Sequence, residues 1–112
     1  MDESRARSLL RAERDEVAGL LREAEKATDA DLTAPDSARD YGDEALPLTE
    51  EAEDEAIVED LRERLAAIDR ALGRLEAGTY GRSVLSGQPI SDERLEADPA
   101  AELTVEEARA QR

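Results

Sequence analysis

Six aliphatic residues, Val58, Leu61, Leu65, Ile68, Leu72 and Leu75, recur in alternating steps of three and four. That is the a/d spacing of a heptad repeat, sustained for about two and a half repeats. It places all six on one stripe of an α-helix, and a lone helix in water cannot bury such a stripe. Residues 50–77 are therefore expected to form a helix that needs a partner. Thr49 is placed to cap it, Glu50 and Glu51 sit where the helix dipole favours negative charge, and Gly78 can end it. The partner stripe lies upstream. Residues 2–29 hold no proline and a single glycine, Gly19, and Leu10, Val17, Leu21, Ala24 and Thr28 follow a mostly 3–4 spacing. Leu9 and Leu20 widen this stripe, while Glu13 and Arg14 interrupt it. Two helices of about 28 residues, roughly 42 Å each, bury their stripes most simply against one another. Pro35, Gly42 and Pro47 allow the connection from Asp29 to Leu48 to reverse the chain. The expected fold is all-α: a long antiparallel helical hairpin, a coiled coil, over residues 1–77 with its tip at about 30–48. A parallel dimer of one long helix is disfavoured by the prolines and glycine between the stripes.

Composition narrows the function. Tyr41 and Tyr80 are the only aromatic residues, too few for a thick globular core. The chain has no His and no Cys, which excludes His/Cys metal sites, thiol nucleophiles, disulfides and Ser-His-Asp chemistry. An enzyme is not expected, and no residue is nominated as catalytic. The net charge of −15 disfavours direct, sequence-specific binding to nucleic acid and contact with anionic membranes. No apolar run approaches the ~18 residues of a membrane span, and MDESRARSLL lacks a signal-peptide apolar region. A cytoplasmic protein is expected. The charge is concentrated: residues 29–60 carry 13 acids and one base, Arg39, a net −12 at the distal end of the expected hairpin. Such a run reads either as a solvated loop or as a tip that enters a basic or metal-containing site.

Residues 78–112 form a third section. GTYG and SGQP carry turn chemistry, short helices are expected from near Ser91 and near Thr104, and Thr104 and Glu107 have capping-box spacing. Val84, Leu85, Ile90, Leu95, Leu103 and Val105 are too few for an independent core, since domains under about 40 residues usually need a staple. This section is expected to pack on the base of the hairpin.

GTYGRSVLSGQPISDERLEADPAAELTVEE resembles the zinc-finger section of the bacterial DksA/TraR family, whose pattern is approximately GxYGxCxxCGxxIxxxRLxAxPxAxxCxxC. Gly78, Tyr80, Gly81, Gly87, Ile90, Arg94, Leu95, Ala97, Pro99 and Ala101 keep the frame. The four cysteine positions fall on Ser83, Ser86, Thr104 and Glu107. Hydroxyls are poor zinc ligands and a lone carboxylate cannot hold a structural tetrahedral site. The reading is a degenerate C4 finger without zinc, and no cofactor is expected. A helix cap contributes about 0.5–2 kcal/mol, against on the order of 10 kcal/mol for structural zinc in small fingers. Val84, Leu85 and docking on the hairpin must therefore supply the rest.

The resemblance extends to the hairpin. The family carries D-x-x-D-x-A at the hairpin tip, and this chain has Asp40-Tyr41-Gly42-Asp43-Glu44-Ala45, 43 residues before Ser83, which fits the longer members without a gap. The resemblance implies a regulator that binds bacterial RNA polymerase and inserts the tip into its secondary channel. Asp40 and Asp43 would then reach toward the catalytic magnesium region, with Ala45 as the small residue permitting close approach, and the stability of initiation complexes would change. Longer members respond jointly with ppGpp through basic residues. By the same count those positions fall on Ala67, Asp98 and Ala108, none of them basic, so independence from ppGpp at this site is expected. Two alternatives stay open: an acidic coiled-coil adaptor or decoy that has lost polymerase regulation, and a transcript-cleavage cofactor holding magnesium through Asp40 and Asp43. A monomer is expected, since a single hairpin best suits a narrow channel.

Overall fold

The computed structural model describes residues 1–32 and 45–111, with side chains for 1–27 and 54–111. Its helices are α1, Glu3–Leu32; α2, Ala45–Ala77; α3, Asp92–Ala97; and α4, Val105–Ala110. The two long helices form the hairpin expected from the two apolar stripes. Among the described residues there is no strand, only an isolated antiparallel bridge between Arg82 and Pro89. α2 begins five residues before the expected start, so Thr49 lies inside the helix rather than capping it. Pro47 is the third residue of α2 and does not stop it, because first-turn N–H groups have no intrahelical partner to lose. The other end follows expectation. Gly78 takes a positive φ of 77°, its N–H reaches the Leu75 carbonyl at 3.3 Å, and the Thr79 N–H reaches the Arg74 carbonyl at 2.9 Å. This pair of bonds is a Schellman motif, which glycine closes without a Cβ penalty.

The chain divides into two compact units: Met1–Asp15 with Leu65–Arg112, and Glu16–Arg64. In the first, Ala6 and Leu10 of α1 and Ile68, Ala71 and Leu75 of α2 are buried, as are Ile90, Leu95, Ala100 and Ala101 of the C-terminal section. Ile90, Leu95 and Ala101 form one cluster, against which Met1 and Tyr80 pack. Ion pairs align these parts. Arg14 Nε lies 2.7 Å from Asp69 across the two long helices. The Arg5 guanidinium grips both Glu96 oxygens of α3 at 2.8 Å. Arg70 Nε donates to Glu102 at 2.8 Å. Residues 78–111 thus dock on the helical base, as the sparse apolar count requires. These pairs are largely solvent-exposed and water screens them, so they fix alignment while apolar burial carries the stability.

In the second unit Val17 and Val58 are buried, and Arg62 pairs with Glu25 at 3.1 Å across α1 and α2. Of the six heptad positions only Val58, Ile68 and Leu75 are fully buried; Leu61, Leu65 and Leu72 are partly covered. Leu20 is 52% exposed.

Ile68→Ala removes a fully buried side chain and is expected to cost about 2–5 kcal/mol. Leu20→Ala, at an exposed position, is expected to change stability by less than about 0.5 kcal/mol. Chemical denaturation of both variants checks the ranking.

Candidate functional site

Residues 81–90 make a tight knuckle. The Ile90 N–H bonds the Gly81 carbonyl at 2.8 Å, the Ser83 N–H bonds the Gln88 carbonyl at 2.8 Å, and the Gly87 N–H bonds the Ser83 carbonyl at 2.9 Å. Gly81 and Gly87 both sit at positive φ, 86° and 76°, where a side chain would be strained. Within the knuckle the Ser83 hydroxyl accepts the N–H groups of Leu85 (3.0 Å) and Ser86 (3.2 Å). The Ser86 hydroxyl accepts that of Gln88 at 3.3 Å. Ser83 is 5% exposed, buried despite its polarity.

The second half of the site is the start of α4. Thr104 Oγ1 accepts the Glu107 N–H at 3.2 Å, and Glu107 Oε1 accepts the Thr104 N–H at 2.9 Å. This is the capping box anticipated from T-x-x-E. The neighbouring Ser83 and Ser86 hydroxyls, with the Thr104 N–H, hold the Glu107 carboxyl at about 2, against an ordinary 4.5. A backbone bond from the Val84 N–H to the Glu102 carbonyl, 2.9 Å, ties the knuckle to the strand of chain leading into α4. That bond sets the turn of Ser83 and Ser86 beside the turn of Thr104 and Glu107.

That donor set does not fit a structural zinc. Three of the four groups are neutral hydroxyls, the Ser83 and Ser86 oxygens already accept backbone N–H groups, and the single anion is already hydrogen-bonded. Among the described residues no group of three or more His, Cys, Asp or Glu side chains is arranged to hold a metal ion.

Beside the knuckle, Ala67, Arg70, Val84, Leu85, Arg94 and Asp98 line an open cleft. It contains Ala67 and Asp98, two of the positions where the resemblance would place basic residues; Ala108 lies on α4. The cleft has two guanidiniums, that of Arg94 from the retained frame and that of Arg70, which no motif marks. Both are engaged: Arg70 Nε with Glu102, and Arg94 Nε with the Leu103 carbonyl at 2.8 Å. Val84 and Leu85 stand 53% and 62% exposed at its edge, so they do not supply the core expected of them. Tyr80 does: its hydroxyl donates to the Pro99 carbonyl at 2.8 Å, and burial pushes its phenol above the ordinary value. Asp40 and Asp43 lie outside the described residues. Ala45 is the first residue of α2. No described helix is long and apolar enough to cross a membrane.

No family model matches the chain. It is 38% identical over 98 residues to the RNA polymerase-binding transcription factor DksA of Caulobacter vibrioides, covering 88% of this chain and 61% of that protein. It is 42% identical over 64 residues to General stress protein 16O of Bacillus subtilis, covering 57% of this chain and 39% of that protein. The chain thus spans only about two to three fifths of the length of these curated relatives. Among solved structures, that of transcription factor DksA2 from Pseudomonas aeruginosa superposes with a TM-score of 0.82 at 27% identity, covering 97% of this chain and 81% of the other.

Because the native Glu107 carboxyl titrates below its unfolded value, protonation favours unfolding. Its contribution to stability is complete above pH 4.5 and drains away as the pH falls toward about 2. Glu96, held low by its hydrogen bond to Arg5, acts in the same direction. Glu107→Gln is expected to flatten the wild-type loss of stability in this window without abolishing it, as read by denaturation at stepped pH.

Proposed function

The chain belongs to the DksA/TraR family as a member without the finger cysteines, and from that membership we propose that it is a regulator of bacterial RNA polymerase. On this reading it binds the polymerase and inserts its acidic hairpin tip into the secondary channel, altering the stability of initiation complexes. The observation that carries the reading is the likeness to DksA along 98 residues, in a chain whose fold matches that of DksA2 with a TM-score of 0.82.

The chemistry of the tip supports it. Asp40 and Asp43 stand three residues apart within a stretch carrying net −12, and Ala45 follows them as a small residue. Carboxylates so placed suit the magnesium-containing centre of the polymerase and repel the phosphate backbone, so the factor acts on the enzyme without reading DNA sequence. It has no nucleophile or base poised near neutral pH, and is a regulator rather than an enzyme. It works without zinc, as a cytoplasmic monomer. At the Ala67–Asp98 face it works without ppGpp: Arg70 is paired with Glu102, and Asp98 stands in the same cleft as a negative charge that opposes a polyanion.

The test is binding of the purified protein to polymerase core, with an Asp40→Asn/Asp43→Asn variant compared in a promoter-complex lifetime assay. The wild type is expected to bind and change the lifetime several-fold, and the variant to bind with little effect. Binding by both proteins with no difference in lifetime would favour an adaptor or decoy. In the same assay, ppGpp is expected to leave the ratio of lifetimes with and without the protein unchanged. A ppGpp-dependent ratio that disappears when Ala67 and Asp98 are substituted would contradict the independence assigned to that face.

A further inference from the structure

We propose that the cleft beside the knuckle binds a single carboxylate of a protein segment, and that Glu102 makes room for it by passing from Arg70 to Arg74. The competing possibility is a closed surface ion pair, in which Arg70 is unavailable and nothing moves.

One carboxylate is divided between two guanidiniums. Glu102 Oε1 lies 2.8 Å from Arg70 Nε and 3.9 Å from Arg74 Nη1. The closer partner is the wetter one: the Arg70 side chain is 57% exposed, that of Arg74 15%. Water weakens the first attraction far more than the second. Yet Arg74 is the cation left incomplete, since its buried Nη2 has no hydrogen-bond partner among the described residues. A buried charged donor without a partner is costly, whereas an exposed guanidinium hydrates readily. A shift of about 1 Å brings Glu102 into hydrogen-bond range of Arg74. Arg70 is held through one nitrogen, unlike the fork that joins Arg5 to Glu96. It can be drawn away without leaving Glu102 unpaired.

An incoming anion supplies the pull. The charged lining of the cleft is Arg70, Arg94, Asp98 and Glu102, and with Arg74 beside Glu102 the cluster carries one positive charge in excess. That excess complements one carboxylate, while Asp98 and Glu102 oppose a polyphosphate. Val84 and Leu85, largely exposed, offer aliphatic contact at the edge. An aspartate or glutamate flanked by aliphatic side chains fits both features; a small free anion fits only the first. The site is separate in sequence from Asp40 and Asp43 and needs no action from them.

The test uses the full chain and two capped probe peptides, Leu-Glu-Leu and Leu-Gln-Leu, read by the side-chain N–H resonances of Arg70 and Arg74. Leu-Glu-Leu is expected to shift the Arg70 Nε–H and to bind about fivefold more tightly than Leu-Gln-Leu, the scale of one exposed ion pair. It is also expected to slow exchange of the Arg74 guanidinium hydrogens, which Leu-Gln-Leu leaves unchanged. Attraction to a fixed ion pair would not reach Arg74. Arg70→Gln is expected to slow the same Arg74 hydrogens with no peptide present, because Glu102 has passed across, and to erase the preference between the peptides. Should that variant fail to fold, titration of the unsubstituted protein carries the same reading. Equal affinity for the two peptides, or none for either, would overturn the site. Arg74 exchange unchanged by Leu-Glu-Leu, or no slower in Arg70→Gln, would overturn the passage of Glu102. Tripolyphosphate bound more tightly than Leu-Glu-Leu would overturn the restriction to a single carboxylate.

Discussion

Glu102 stands where the helical base and the C-terminal section of the first unit join. Its carboxylate takes the Arg70 Nε at 2.8 Å and lies 3.9 Å from Arg74 Nη1, while its backbone carbonyl holds the Val84 N–H. Arg74 is largely buried, and its Nη2 has no hydrogen-bond partner among the described residues. A desolvated guanidinium is costly without an opposing charge, so Glu102 is what makes the position of Arg74 tolerable. One residue thereby fixes α2 against the segment 102–104, and that segment positions both the knuckle and the cap of α4. The cleft, the cap of α4 and the docking of residues 78–111 all inherit their geometry from this junction.

The junction also explains how a chain with two aromatic rings and no cysteine builds a finger-like section. Ile90, Leu95 and Ala101 form a small apolar cluster, extended by Met1 and Tyr80. The polar groups the section cannot expose are satisfied locally: Tyr80 donates to Pro99, Arg94 to Leu103, and the Ser83 hydroxyl oxygen accepts from Leu85 and Ser86. Burial of a few aliphatic side chains at about 1.5–3 kcal/mol each supplies the driving force, and these bonds mainly avoid the penalty of unsatisfied buried donors. The result is a section that depends on its hairpin.

The hairpin was legible because periodicity is a local property. Val58, Ile68 and Leu75 are buried where the 3–4 spacing put them. Ala6 and Ala71 are buried just as fully but were not singled out, since alanine marks no stripe in a pattern read from large aliphatics. The start of α2 was misjudged because Pro47 reads as a breaker, although in the first turn it breaks nothing. The capping box of Thr104 and Glu107 was visible in four consecutive residues, and the family frame placed Ser83 and Ser86 with them. What the frame could not give was the backbone bond from Val84 to Glu102 that joins the two turns, or the pairing of Arg70 with Glu102 across thirty-two residues. Such bonds follow from tertiary packing, which no spacing rule encodes. Leu85 shows the converse: an apolar residue assigned to stability that stands 62% exposed.

The proposed independence from zinc and the proposed action on polymerase are open to one measurement. The purified protein, stripped with EDTA and checked for zinc content, is titrated against bacterial RNA polymerase core at physiological salt. The account predicts stoichiometric binding, with the same affinity before and after stripping and after zinc is restored. Absence of binding under all three conditions, or binding that appears only with zinc, would contradict it.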